Sequence, residues 1–323
     1  MPLETRRGAS ASVHRLPVVT PYRLDLTANV LRRFSTNVVD VLEPSGRYRR
    51  ALGGFEAPLL LEVVQDGPAA LTVTVKGPPG EVPRALAVAT RMLGTDRDLR
   101  HWERRAARVP WLRGIAKRMR GTKPPRYPTL WEACVNAVVF QQVSLHAASA
   151  ILRRGIEALG TRIELEGLRL YAFPDERAFA NAADGTLRAA GFSASKVATL
   201  RRVADALGSG ALDEAMLEER PSAEASALLC GIRGVGPWTA AVVLLRGLGR
   251  LDVFPMNDSG AARSLRVLDP DASTDVEPAL AALGDMRGML YYHLLLARLE
   301  ASDALPAPAT FGAKRGAHRT VTE

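Results

Sequence analysis

The sequence predicts a mainly α-helical protein with an N-terminal α+β domain, and three observations carry that expectation. Residues 58–76 hold two short β-type runs with a turn signal between them, and a helical pattern follows. Residues 129–301 are dominated by helix caps and by apolar side chains at helical spacing. The 323 residues are 47% apolar and 24% charged, a globular balance, and no apolar run approaches the ~18–20 residues of a bilayer span.

Residues 1–20 (MPLETRRGASASVHRLPVVT) lack an uninterrupted apolar segment of the kind a secretory signal needs, so a flexible tail and a soluble, cytoplasmic protein are expected. PLLLEVVQ (58–65) and ALTVTVK (70–76) read as strands. In the second, Leu71, Val73 and Val75 alternate with Thr72 and Thr74, and Asp66-Gly67-Pro68 turns the chain between the two runs. EVPRALAVATRML (81–93) reads as a helix. With a basic connector, these elements give a first domain over 21–110. Residues 97–126 contain eleven basic and two acidic side chains, a surplus equal to the net charge of +9 of the whole chain. Segregated charge of this kind suits a polyanion, through release of condensed counterions, but it equally describes a solvated connector.

A helical domain without internal repeats is expected over 111–302. Thr129 and Glu132 form a capping-box pattern ahead of TLWEACVNAVVF. Further helices are expected at about 145–159 and over 194–207, where Val197, Leu200, Val203, Ala204 and Leu207 share a face. AEASALLC, capped by Ser222, and GMLYYHLLLARLEA near 288–301 complete the set. Residues 303–323 read as a second flexible tail.

Two segments carry chemistry. In GIRGVGPWTAAVVLLRG (231–247) a helix ends near Cys230, the chain turns through Gly234-Val235-Gly236, and a new helix opens at Pro237-Trp238-Thr239. Glycine permits the tight turn and close approach of a ligand, proline suits the first helical turn, and the free N–H groups there suit a phosphate. An ordinary pair of helices joined by a short turn is the plain alternative. In DVFPMNDSGAARSL (252–265), Asp258 falls twenty residues past Trp238 at the expected start of another helix, where a carboxylate can simply be a cap.

Together the hairpin and Asp258 resemble the helix-hairpin-helix DNA glycosylase superfamily, and within it the 3-methyladenine DNA glycosylase II family. NAVVFQQVSLHAASAIL (136–152), GFSASKVATLRRVADAL (191–207) and DMRGMLYYHLLLARL (285–299) extend the likeness, which covers most of residues 20–302. The resemblance implies a helix-hairpin-helix glycosylase architecture and a DNA glycosylase that acts on flipped alkylated purines in double-stranded DNA. Asp258 matches the catalytic carboxylate, which would stabilise the positive charge that builds on the deoxyribose as the N-glycosidic bond breaks. Trp238 stands where bifunctional relatives hold the Schiff-base lysine, so a monofunctional enzyme leaving an abasic site is implied.

The likeness also assigns Gly234, Gly236 and Thr239 as phosphate-facing backbone positions and Gln142 as the side chain inserted into the gap left by the flipped base. It assigns the carbonyls of Cys230, Ile232 and Val235 to a structural Na+ or K+. Trp238 and Met286 are expected in the base pocket. Met286, Val242 and Ser259 stand where the family carries aromatics, and the residue before Asp258 is Asn257 rather than a second acid. With Trp238 as the one large remaining face, a pocket selecting cationic alkylpurines by their ready departure is expected. Tyr291 and Tyr292 read as core, or one of them as a pocket edge. The five histidines show no metal-ligand spacing. Cys134 and Cys230 read as buried thiols, too few to hold an iron–sulfur cluster. No catalytic cofactor and a monomeric protein are expected. The competing reading is a non-catalytic DNA-damage-binding helix-hairpin-helix protein in which Asp258 is only a cap.

Overall fold

The computed structural model describes residues 10–55, 57–268 and 276–305. Five strands form an antiparallel sheet: β1 (Ser10–Pro17), β2 (Asp40–Leu42), β3 (Tyr48–Leu52), β4 (Leu59–Gln65) and β5 (Ala70–Gly77), in the order β1-β5-β4-β3-β2. The two expected strands are β4 and β5, with Leu60 opposite Lys76 and Gln65 opposite Leu71. Leu71, Val73 and Val75 are fully buried, as the alternation required. Helices α1 (Leu24–Arg32) and α2 (Val82–Leu93) pack on this sheet, with Leu24, Ala28, Leu31, Ala85, Ala89 and Met92 against Leu61, Val63, Val73 and Val75.

Residues 10–17 lie in the stretch expected to be a tail, yet they form an edge strand paired with β5, Ser10 opposite Gly77 and Pro17 opposite Ala70. No side chain from Ala11 to Pro17 is buried and Val13 is 67% exposed. This strand is held by backbone hydrogen bonds, so the hydrophobic pattern carries no trace of it. Residues 1–9 and 306–323 of the two expected tails lie outside the described residues.

The helical body has two cores. The first gathers α5 (Leu130–Val139), α6 (Leu145–Leu159), α7 (Glu176–Ala180), α8 (Asp184–Ala190), α9 (Ala194–Gly208), α10 (Glu214–Glu218), α11 (Ser222–Cys230) and α12 (Pro237–Arg246). Helix α5 is buried along all ten residues, consistent with its nearly continuous apolar sequence. The second core joins α3 (Arg100–Ala106) and α4 (Pro110–Arg118) to α13 (Ser259–Leu268), α14 (Glu277–Leu283) and α15 (Gly288–Ala301). Leu26 and Val30 place one side of α1 in this second core, so α1 bridges the sheet and the last helix. No helix among the described residues is long and apolar enough to cross a membrane.

Three local expectations are corrected. The body is not all helical: β6 (Thr161–Leu165) and β7 (Leu168–Ala172) form a hairpin turned by Glu166 (φ 51°) and Gly167 (φ 77°). Both central residues are left-handed, as a two-residue hairpin of this type requires, and glutamate is a poor signal for that conformation. The Thr129 hydroxyl caps Glu132 N–H at 3.1 Å, but the Glu132 carboxylate does not complete a capping box. It turns to Arg50 of β3, whose Nη2 donates to both its oxygens at 2.6 and 2.7 Å while Nη1 donates to Asp40 at 2.5 Å. The buried ionic cluster joins sheet to α5, a partnership between residues 82 positions apart that no local pattern reveals. Ser222 opens α11 rather than capping it, and its hydroxyl accepts from Arg250 at 3.2 Å.

Candidate functional site

Helix α11 ends at Cys230, and Val235 N–H closes the following turn on Ile232 O at 2.9 Å. Gly234 sits at φ 102°, and a Cβ there would run into the Thr199 hydroxyl on α9. Gly236, the N-cap of α12, differs: a Cβ would meet nothing within 4 Å. Folding demands glycine at the first position, while the second leaves open space toward solvent. With Pro237 at N1 and no side-chain cap, the N–H groups of Trp238 and Thr239 lie at an uncapped helix start. The Thr239 hydroxyl is buried and accepts from Gln141 Nε2 at 2.7 Å, leaving its backbone N–H as the group able to meet a phosphate.

The α5–α6 loop is held beside this hairpin from two sides. Gln141 Nε2 also donates to Gly234 O at 3.0 Å, and Lys196 Nζ from α9 donates to Val139 O at 2.8 Å and Gln141 O at 3.0 Å. The loop projects Gln142, exposed at φ 54°, and Val143, 38% exposed, before Ser144 caps α6. Gln141 and Lys196 have no motif that marks them; their role follows from packing alone.

Asp258 N-caps α13, Oδ1 accepting Ala261 N–H at 2.7 Å, and its Oδ2 accepts Trp238 Nε1–H at 3.0 Å. Asn257 precedes it at φ 60°, a left-handed conformation asparagine tolerates, and so turns the chain into the helix. Gly260 permits close passage of α15: a Cβ there would meet the Arg298 guanidinium and come within 3.0 Å of Asp258 Oδ1.

These pieces surround one cavity of about 1010 Å³. The hairpin, the α5–α6 loop with Gln142, and Asp258 line it, together with Val242, Ser259, Arg263, Tyr291, Leu295, Arg298 and Arg33. Met286 does not. It occupies the 3-10 turn before α15 and packs on the second core, whereas Tyr291 and Leu295, further along the helix, face the cavity. Trp238 is therefore not the one large ring: Phe140 at the end of α5 and Tyr291 on α15 add two more. Matching positions along the chain misses rings supplied from other elements. Tyr292 is core, its hydroxyl donating to Leu245 O at 3.1 Å. Burial raises the pKa of Tyr291, and the Asp258 charge adds to that rise.

Arg33, just after α1, was not singled out by any motif. It is 7% exposed and sits at φ 58°. Its guanidinium stacks over Phe140 with Cζ 4.2 Å from the ring centroid, and among the described residues no group accepts from Nε or Nη1. Burial lowers its pKa, and the neighbouring cations Arg246 and Arg298 act in the same direction.

The basic stretch is elsewhere, since none of residues 97–126 lines the cavity. Arg100 pairs with Asp98, Arg105 with Asp285, Arg118 with Glu300, Arg120 with Glu103, and Arg126 with Glu214 and Glu218. Arg97 and Arg113 donate to backbone carbonyls, and Lys123 is buried against Arg97 O. Eight of the eleven cations are thus held locally, while Arg104, Arg108 and Lys117 are exposed. Cys134 is buried, its thiol pushed up to about 12 by burial. No group of three or more His, Cys, Asp or Glu side chains suited to a metal occurs among the described residues.

A helix, a glycine hairpin, a second helix and a carboxylate twenty residues past the tryptophan define the class. Residues 135–281 match the family described as HhH-GPD superfamily base excision DNA repair protein. The chain is 31% identical over 173 residues to a DNA-3-methyladenine glycosylase of Bacillus subtilis, covering 54% of this chain and 57% of the relative. It thus spans little more than half the length of that curated relative. A 3-methyladenine DNA glycosylase from Archaeoglobus fulgidus shares the fold at TM-score 0.75 and 24% identity, over 89% of this chain and 99% of the other. A Clostridium acetobutylicum 8-oxoguanine glycosylase/lyase in complex with double-stranded DNA also shares the fold, at TM-score 0.69 and 17% identity over 91% and 98% of the two chains.

Proposed function

We propose that the protein is a monofunctional DNA glycosylase that hydrolyses the N-glycosidic bond of a damaged purine everted from double-stranded DNA. The purine class is the alkylated, 3-methyladenine type named for its relatives. The observation that carries this reading is the Asp258 carboxylate, fixed by Ala261 N–H and Trp238 Nε1–H beside the cavity that the hairpin borders.

In this reading the uncapped start of α12 and the N–H groups of Gly234 and Gly236 hold a backbone phosphate, and Gln142 enters the space vacated by the base. The C1′–N bond breaks, its electron pair leaves with the base, and Asp258 stabilises the oxocarbenium-like sugar until water adds at C1′. No lysine is among the described residues lining the cavity, and an indole cannot form an imine, which supports hydrolysis without a lyase step. The carbonyls of Cys230, Ile232 and Val235, backbone oxygens on one turn, suit a Na+ or K+ that would offset phosphate charge at the hairpin.

Asp258→Asn keeps the cap and removes the charge. Abasic-site release from methylated duplex DNA that vanishes in this variant supports the proposal. No release by wild type from any lesion, with lesion binding intact, would support instead the damage-binding reading, which the Ala261 cap to Oδ1 favours.

A further inference from the structure

Arg33 presents a buried cation whose Nε and Nη1 have no acceptor among the described residues. Phosphates of a duplex remain outside the cavity, and a side chain 7% exposed is a poor partner for them. What can reach it is a base that enters the cavity it lines. Leaving a guanidinium buried without acceptors is costly, and holding a non-glycine residue at φ 58° to do so adds strain; such costs gather at functional sites. Arg298, which shares the cavity, also keeps a buried Nε without a partner among the described residues. With Arg263, the described lining residues include three cations and one carboxylate, that of Asp258.

We propose that Arg33 is a specificity-determining residue that donates to the O6/N7 acceptor edge of a neutral 6-oxopurine held in this cavity. The proposal rests on the cavity being the base pocket and orders the bases within it. A planar guanidinium fork matches O6 and N7 of a 6-oxopurine, whereas 7-methylguanine has N7 blocked and 3-methyladenine offers an amino donor at C6. Both lesions are also cationic and would enter beside Arg33 and Arg298. The preference for cationic alkylpurines expected from leaving-group ability is therefore opposed by binding. Phe140 supplies the platform that keeps the fork in plane.

The test is equilibrium binding of duplexes carrying one hypoxanthine or one 7-methylguanine, in the Asp258→Asn background with and without Arg33→Met or Arg33→Lys. Hypoxanthine should bind about tenfold tighter than 7-methylguanine, the ratio falling to within about twofold in Arg33→Met and only partly in Arg33→Lys. Thermal melting of Arg33→Met should show no loss of stability, because an unpartnered buried cation is removed. An unchanged ratio, or equal weakening of both duplexes with a flatter salt dependence, overturns the proposal; the latter would make Arg33 a phosphate contact. Because the ratio is read from binding, it is decided whether or not the wild type releases a base.

Discussion

Trp238 and Asp258, at the starts of successive helices, are joined by a hydrogen bond from the indole Nε1–H to carboxylate Oδ2 of 3.0 Å. With the Ala261 N–H on Oδ1 at 2.7 Å, it fixes both carboxylate oxygens before any substrate arrives. The indole thus has two tasks: it borders the cavity and its Nε1–H orients the carboxylate. Electrostatic stabilisation of a transition state depends on such prior orientation, because no reorganisation is then needed as charge develops.

Trp238→Phe separates the two tasks by keeping a ring and deleting the donor. A hydrogen bond to a charged group is worth ~1.5–3 kcal/mol, so the single-turnover excision rate should fall by roughly tenfold or more. Lesion binding should change far less. A rate unaltered by the substitution would show that the Ala261 cap alone positions Asp258.

The two hairpin glycines should respond differently to alanine. Gly234→Ala places a Cβ into Thr199 at a left-handed φ and should destabilise the fold by about 2 kcal/mol or more in urea unfolding. Gly236→Ala meets open space and should change stability by less than about 0.5 kcal/mol. If the hairpin holds a phosphate as proposed, the effect of Gly236→Ala should appear instead as weaker binding to undamaged duplex, since the added methyl would stand beside the uncapped α12 N–H groups. Intact binding by Gly236→Ala would remove the hairpin from the DNA interface.

The connector should contribute little to DNA affinity. Arg113 donates to Ala107 O at 2.9 Å and Arg118 pairs with Glu300, and both lie on α4 with Lys117, away from the cavity. Replacing Arg113, Lys117 and Arg118 together by alanine should leave the slope of log affinity against log salt unchanged. A slope flatter by about two to three would show that the duplex reaches this helix.

The site was legible in the sequence where chemistry is local and dark where it is assembled. Gly234, Trp238 and Asp258 lie in two short segments whose turn and cap residues declare themselves, and the structure brings them together at one cavity. The helix expected over 194–207 followed from periodicity, which depends on neighbours three and four residues away, and it forms over Ala194–Gly208. Arg33 and Phe140 reach the same cavity from distant helices, and nothing in spacing links them; Tyr291, read as core or as a pocket edge, lines it. Met286 was misplaced for the same reason: it lies about a turn and a half before Tyr291, and which part of α15 faces the cavity is set by packing on α1 and α13. The strand β1 left no hydrophobic trace because it buries no side chain from Ala11 to Pro17.

The second core also sets a pH dependence of stability through His293. This ring lies 4.8 Å from Trp102, is buried, and has Nδ1 2.9 Å from Met289 O. Burial pushes its pKa down to about 4, against 6.5 for a free imidazole. The unfolded chain therefore binds a proton as pH falls through 6.5, while the folded chain resists until about 4. Stability from this residue is complete above pH 6.5, declines as pH drops across that window, and levels off below about 4, for a total of roughly 3 kcal/mol. His293→Leu should flatten the unfolding free energy over pH 4–6.5 relative to wild type, leaving the slope contributed by carboxylates. Urea titrations at half-unit pH steps would measure it, and identical slopes for the two proteins would show that His293 is protonated in the fold near its ordinary pKa.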